Sequence, residues 1–199
     1  KAPVFWGSVK VDSLLGRNTN VSLFRMFAKA SVTKDDKVTK FEITGFKLIN
    51  TAVKGTIATK TLTKVALPSV VCSRNTVYSE SKQSGELPFY ETPADSAFMI
   101  IRAKYDGGEQ TYYKVAFLNK NSKPMALLRN HHYTVKVTAV NHAGYANEQD
   151  AIDNLPDNRI SVDVVDDNPQ IVDMIACKDY ELGVCAGPEV KGNATKATI

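Results

Sequence analysis

The chain has 199 residues, 43% hydrophobic and 23% charged, with a formal net charge of +4. This excludes global disorder and collagen-like repeats, and no apolar run approaches the roughly 20 residues of a membrane-spanning helix. The charge is uneven: residues 1–147 hold 21 basic and 10 acidic residues, and residues 148–181 hold 10 acidic and 2 basic. A nucleic-acid face would need clustered basic residues or a recognised reading motif. Here Lys29, Lys34, Lys37, Lys40, Lys47, Lys54, Lys60 and Lys64 are spread singly through strand-like text. Lysines placed this way read as solvated strand faces that resist edge-to-edge pairing.

Val, Ile and Thr number 21, 10 and 16, beside 8 Tyr and 8 Phe, which favours strands. Residues 4–11 form a first predicted strand. Residues 21–32 fit both helical and strand spacing, and the β-rich context selects a strand. Residues 40–50 place Phe41 and Ile43 on one face, then Phe46 and Leu48, with Gly45 breaking the period; a glycine there predicts a β-bulge. Residues 61–71 give a further strand. Residues 97–105, a turn at Asp106-Gly107-Gly108, and residues 111–118 predict a hairpin with a three- or four-residue loop. Residues 133–140 alternate cleanly, with Tyr133, Val135 and Val137 inward and Lys136 and Thr138 outward. Residues 148–155 are the best helix, capped by Asn147 and stopped by Pro156, with Glu148 and Asp150 at its positive end. Residues 160–164 alternate again.

The predicted class is all-β, as two tandem Ig-like or transthyretin-like β-sandwich domains with little helix. The polar stretch 73–88 sets the boundary. Residues 1–72 are then a partial N-terminal sandwich, 73–185 a C-terminal sandwich, and 186–199 a tail or linker rich in small residues.

Catalytic and metal chemistry is not evident. No nucleophile elbow, phosphate loop, dinucleotide fingerprint or His-Glu-x-x-His is present. His131 and His132 fall on opposite faces of a strand and cannot readily share an ion. Asp163, Asp166, Asp167 and Asp173 offer calcium-type oxygens but also read as turn and surface residues. Cys72, Cys177 and Cys185 lack CxxC spacing, so zinc and thioredoxin-type sites are excluded. Bonding Cys177 to Cys185 would require a chain reversal between them. No enzyme, cofactor or metal is expected.

Several segments resemble fimbrillins, the type V pilus subunits of the Bacteroidales. They are Phe24-Arg25-Met26-Phe27-Ala28-Lys29-Ala30-Ser31-Val32, the strand from Phe41 to Asn50, and Leu87-Pro88-Phe89-Tyr90-Glu91-Thr92-Pro93. Tyr112-Tyr113-Lys114-Val115-Ala116-Phe117 follows, then Leu128-Arg129-Asn130-His131-His132-Tyr133-Thr134-Val135. The last is the most specific, because Arg-Asn ahead of an aromatic-headed strand is unusual. Gly144-Tyr145 and Asp179-Tyr180-Glu181-Leu182-Gly183 complete the match, which covers about residues 5–185.

The resemblance implies a stalk, tip or anchor component of a surface pilus, exported as a lipoprotein and trimmed by a protease. Trimming opens a groove that a neighbouring subunit's strand fills. The implied partners are other pilus subunits and a host or bacterial surface receptor, and the implied location is the cell surface or outer membrane. The lipid-bearing Cys and first strands expected of that family do not precede Phe24 here, so the N-terminal domain is expected to be partial. Val184, Val190, Ala194 and Ile199 are spaced apolar residues that would suit a strand-exchange tail; the Gly and Pro between them also suit a linker. A monomeric surface adhesin or glycan-binding module on the same fold is the alternative. Asp12-Ser13-Leu14 and Asp95-Ser96-Ala97 resemble the short O-glycosylation signal of the same bacteria.

Overall fold

The computed structural model describes residues 5–6, 24–56, 72–73, 85–156, 158–167, 173–176 and 181–184. Its strands are β1 (Phe5–Trp6), β2 (Phe24–Arg25), β3 (Ala28–Lys34), β4 (Phe41–Ile49), β5 (Thr51–Ala52), β6 (Cys72–Ser73) and β7 (Leu87–Phe89). They continue with β8 (Phe98–Tyr105), β9 (Gln110–Ala116), β10 (His132–Val140), β11 (Ile160–Asp167), β12 (Asp173–Ala176) and β13 (Glu181–Val184). One short helix, α1 (Glu148–Asp153), lies between β10 and β11.

Two sheets form a sandwich, as the all-β reading anticipates. The first has the order β11-β10-β3-β7 and the second β4-β8-β9. Antiparallel pairing dominates, but β3 runs parallel to β10, with Ala30 opposite Tyr133 and Val32 opposite Val135. The strands on either side of residue 73 therefore share sheets. β3 pairs with β10 and β7, and β4 pairs with β8. The expected boundary at 73 does not divide the described strands: β3 and β4 complete the core that β8, β9 and β10 begin.

The inward faces follow period two. Ala28, Ala30 and Val32 of β3 are buried, as are Tyr133, Val135 and Val137 of β10. They meet Phe41, Ile43, Phe46 and Leu48 of β4 and Met99, Ile101 and Ala103 of β8 in one core. Small residues on β3 leave room for the rings of Tyr113, Phe89, Phe117 and Tyr133. Phe41 meets Tyr113 edge-on at 5.3 Å, and Phe117 meets Tyr133 likewise at 6.3 Å.

Several local expectations hold. The register of β4 against β8 shifts between Ile43 and Gly45, which keeps Phe46 and Leu48 on the core face after the break. Asp106 and Gly107 take positive φ, 51° and 73°, at the β8–β9 turn. Tight hairpins need that conformation, and glycine adopts it without steric cost. In α1 the Asn147 side chain accepts from Asp150 N at 2.9 Å. Residues 28–32 are strand rather than helix, with a break at Met26–Phe27 ahead of them. Predicted strands over 61–71 and most of 4–11 lie outside the described residues.

α1 covers the outer face of the second sheet. Its Ala151 and Ile152 pack on Ile49 and Ile100. A lysine holds each end. Lys47 pairs with Glu148 in the first turn, and Lys114 donates to Ile152 O at 2.8 Å and Asn154 O at 2.7 Å. A cation at the carbonyl end complements the helix dipole. Burial in this niche lowers the Lys114 ammonium below the ordinary lysine range.

The register of β10 makes a direct test. Val135 is fully buried, so Val135→Asp places an unpaired charge in the core and should cost about 3–5 kcal/mol. Lys136 points outward to Asp35 at 2.8 Å and stands opposite Asp163. Lys136→Ala should therefore barely move the melting temperature, whereas Lys136→Asp, facing two carboxylates, should lower it. Equal melting temperatures for Val135→Asp and Lys136→Ala would contradict the register.

Candidate functional site

Near one end of the sandwich, three distant segments are tied together by one buried side chain. Arg129 is 2% exposed and Glu91 is also 2% exposed. The guanidinium donates from Nε to Glu91 Oε2 at 2.9 Å and from Nη2 to Glu91 Oε1 at 2.7 Å, a bidentate pair. Nη1 donates to Thr56 O at 2.9 Å and to Met26 Sδ at 3.9 Å, and Nη2 also reaches Thr56 Oγ1. An arginine has five N–H donors, and each has an acceptor here. The neighbouring Thr92 extends the junction. It exchanges backbone bonds with Leu127, and its Oγ1 accepts from Ala52 N at 3.0 Å and donates to Tyr90 O at 2.9 Å.

The residue after Arg129 continues the work. Asn130 has φ 62°, a conformation asparagine tolerates better than most residues. Its backbone N donates to Phe27 O at 3.1 Å, and its Oδ1 accepts from Arg25 N at 3.2 Å. Lys29 N donates to His131 O at 3.0 Å. Residues 25–29 are thus seated against 129–131 by main-chain bonds.

These contacts leave a cavity of about 570 Å³ beside the edge strand β7. Phe27, Phe89 and Tyr90 supply its ring surface, and Arg25, Lys29 and Asn130 supply polar groups. Phe27 and Tyr90 are paired with ring centroids 4.8 Å apart. Gly55 packs on the Tyr90 ring so closely that a Cβ there would overlap it. Lys29 is paired with Glu86 at 2.5 Å, and this lysine draws the Glu86 carboxyl below its usual range.

The histidines are separated, as the strand reading requires. His131 Nδ1 lies 2.7 Å from Asp166 Oδ1, and its ring stacks on Tyr133. His132 Nε2 lies 2.8 Å from Ser31 Oγ on the other face. Burial, then the Lys29 charge, depress the His132 imidazole below its ordinary value, while Glu86 and Asp167 oppose the shift. Ser31, Thr134 and His132 form a local hydroxyl–imidazole cluster bridging β3 and β10. Asp163 stands opposite Lys136, and Asp166 is engaged by His131. Among the described residues no group of three or more His, Cys, Asp or Glu is placed to hold a metal ion.

Of the residues singled out for strand exchange, Val184 alone is among the described residues. Val184 ends β13, which pairs antiparallel with β12. Val190, Ala194 and Ile199 lie outside the described residues, as do Cys177 and Cys185. Asp95-Ser96-Ala97 sits in the turn ahead of β8, with Asp95 at φ 59°. Sequence reasoning missed the Arg129–Glu91 junction and the cavity. The available signal is the pair of segments containing Tyr90-Glu91-Thr92 and Arg129-Asn130, which stand in the sequence as two separate motifs of the family resemblance with no mark that they are two halves of one contact.

Removing Arg129 leaves a buried carboxylate unpaired, so Arg129→Ala should cost about 3–5 kcal/mol in urea unfolding. Arg129→Met with Glu91→Leu should cost clearly less than the two single changes added together. Additive losses would show that the two groups act independently. For His132 the folded form holds its proton less tightly than the unfolded chain. Its contribution to stability is present above the unfolded value near 6.5 and is lost as pH falls through the lower folded value. The melting temperature should fall between about pH 7 and pH 5, and more steeply for the wild type than for His132→Gln. Parallel curves would contradict this.

No family model matches the chain, and no curated protein matches it. Among solved structures it is similar to a protein of Bacteroides eggerthii, with 14% identity and a TM-score of 0.45, covering 73% of this chain and 56% of that one. It is similar to a second, from Parabacteroides distasonis, with 15% identity and a TM-score of 0.41, covering 73% and 53%. A third, from Bacteroides uniformis, has 10% identity and a TM-score of 0.39, covering 74% and 52%. Each of the three is described as a "putative cell adhesion protein". The chain spans about half the length of these structures.

Proposed function

We propose that this chain is a structural subunit of a bacterial surface fibre, a pilus or fimbria of the fimbrillin kind, assembled by β-strand addition between subunits and contributing to adhesion. The observation that carries the proposal is the state of the sheet edges. β7 covers only Ala28–Ala30 of β3, so among the described residues Ser31–Lys34 have no strand partner on that side. β4, nine residues long, is likewise an edge of its sheet among the described residues. Long edges lying over a hydrophobic core are templates for an added strand, with backbone bonds giving affinity and alternate side chains filling the core face. The other edge of the second sheet is guarded instead. Tyr112 of β9 bridges Tyr145, and Lys114 ties α1 over it.

The role proposed is binding and assembly, with no catalytic step and no cofactor. The partners are further subunits and a surface receptor, and the place is the exterior of the cell, reached by export and a lipid anchor on the precursor. The aromatic cavity favours a second reading in which the same fold acts as a monomeric adhesin or glycan-binding module.

Size-exclusion chromatography before and after limited trypsin treatment separates the two. Strand addition predicts a ladder of oligomers after trimming, persistent in buffer and dissolved by SDS. An unchanged monomer would overturn it. Deleting residues 186–199 tests the tail with Val190, Ala194 and Ile199. If that tail, together with Val184, is the donor strand, the shortened chain should no longer form the ladder. Polymerisation equal to that of the full chain would place the donor elsewhere.

A further inference from the structure

We infer that the cavity beside β7 is a binding site for a carboxylated sugar, a uronic or sialic acid residue at the end of a glycan. This does not depend on fibre assembly, because one copy of the chain carries every group involved. Its volume, about 570 Å³, lies within the ordinary range of small-ligand sites. Its surface is of two kinds. The Phe27–Tyr90 pair forms part of the cavity lining, an aromatic wall against which the C–H side of a pyranose can pack. Around them stand polar groups in fixed positions.

Asn130 is the best defined of these groups. Its Oδ1 is held by Arg25 N, which fixes the amide so that Nδ2 is the remaining donor. Glu86, shared with Lys29, offers carboxylate oxygens to sugar hydroxyls. The charge balance selects the acid. Lys29 is neutralised by Glu86, and His131 faces Asp166. The Arg25 guanidinium, exposed at the rim, also acts on Glu86, so two cations share one carboxylate and the rim keeps a surplus positive charge. A rim with a surplus cation favours a carboxylate, which the guanidinium can grip through two parallel bonds.

Other occupants fit less well. A wholly apolar ligand would bury Asn130 Nδ2 and the surplus cationic charge of the rim, which is costly. An added peptide strand would have to pair with β7, but Pro88 sits in the middle of that edge and has no N–H to give.

The test uses the full chain as a monomer, on an array of sialylated and uronate-ended oligosaccharides beside their neutral counterparts, followed by calorimetric titration of the best acidic probe. The acidic glycan should be preferred over its neutral counterpart by about tenfold or more. Arg25→Ala, an exposed change that should leave folding intact, should bring that ratio close to one while keeping weak binding of both. Tyr90→Ala should lower affinity for both by about tenfold. Gly55→Ala, which pushes the Tyr90 ring aside, should do the same if Tyr90→Ala folds poorly. Failure of any acidic probe to bind more tightly than about 10 mM, or wild-type preference in Arg25→Ala, would overturn the inference.

Discussion

A buried arginine with all five donors engaged is the constraint around which this end of the molecule is organised. Arg129 reaches Glu91, Thr56 and Met26 from a single fully buried position. Each acceptor comes from a different part of the chain. A buried charge is tolerated only when paired and hydrogen-bonded, so these four segments must converge together or not at all. The pair contributes uniqueness more than net stability, since a dry apolar replacement of both partners can be nearly as stable. What it fixes is the position of the chain at 51–56 relative to 90–92, and through Asn130 the position of 25–29. The cavity is the space left between segments held in this way.

The same logic accounts for the cross-sequence sheet. β3 lies between β10 and β7, with β10 separated from it by about a hundred residues of sequence. Parallel pairing over such a distance closes a long loop and is entropically unfavourable by itself. It is sustained by what it buries: Ala28, Ala30 and Val32 complete the core against the rings of β7, β9 and β10. The small residues of β3 leave room for those rings, and the bulge at Gly45 keeps Phe46 and Leu48 of β4 on the face of the same core.

What was legible in the sequence was local. Alternation in β10, the bulge at Gly45, the Asp106-Gly107 turn and the Asn147 cap each depend on residues within a few positions of one another, and each appears where the pattern places it. Partnerships were not legible. Nothing in the spacing of residues 28–34 says that their neighbour is 132–140, and the polar stretch after residue 73 reads as a boundary although the strands beyond it rejoin those before it. The buried pair was hidden for a related reason. Glu91 and Arg129 look like surface residues in a single sequence, because charge predicts exposure unless a partner is known. Gly55 shows the same limit: its lack of a side chain serves a ring 35 positions later.

Strands from both sides of residue 73 share one core and should therefore unfold as one cooperative sandwich. Native-state hydrogen exchange of backbone amides measures this most directly, because each cooperative unit opens with its own free energy. The β3 amides on the β10 side, Ser31 and Thr33 in alternation with Lys29, and the β4 amides that donate to β8 should exchange with the same opening free energy as those of β8 and β10, equal to that of global unfolding. Exchange of β3 and β4 at a distinctly lower free energy, while β8 and β10 stay protected, would contradict it and show two independent units.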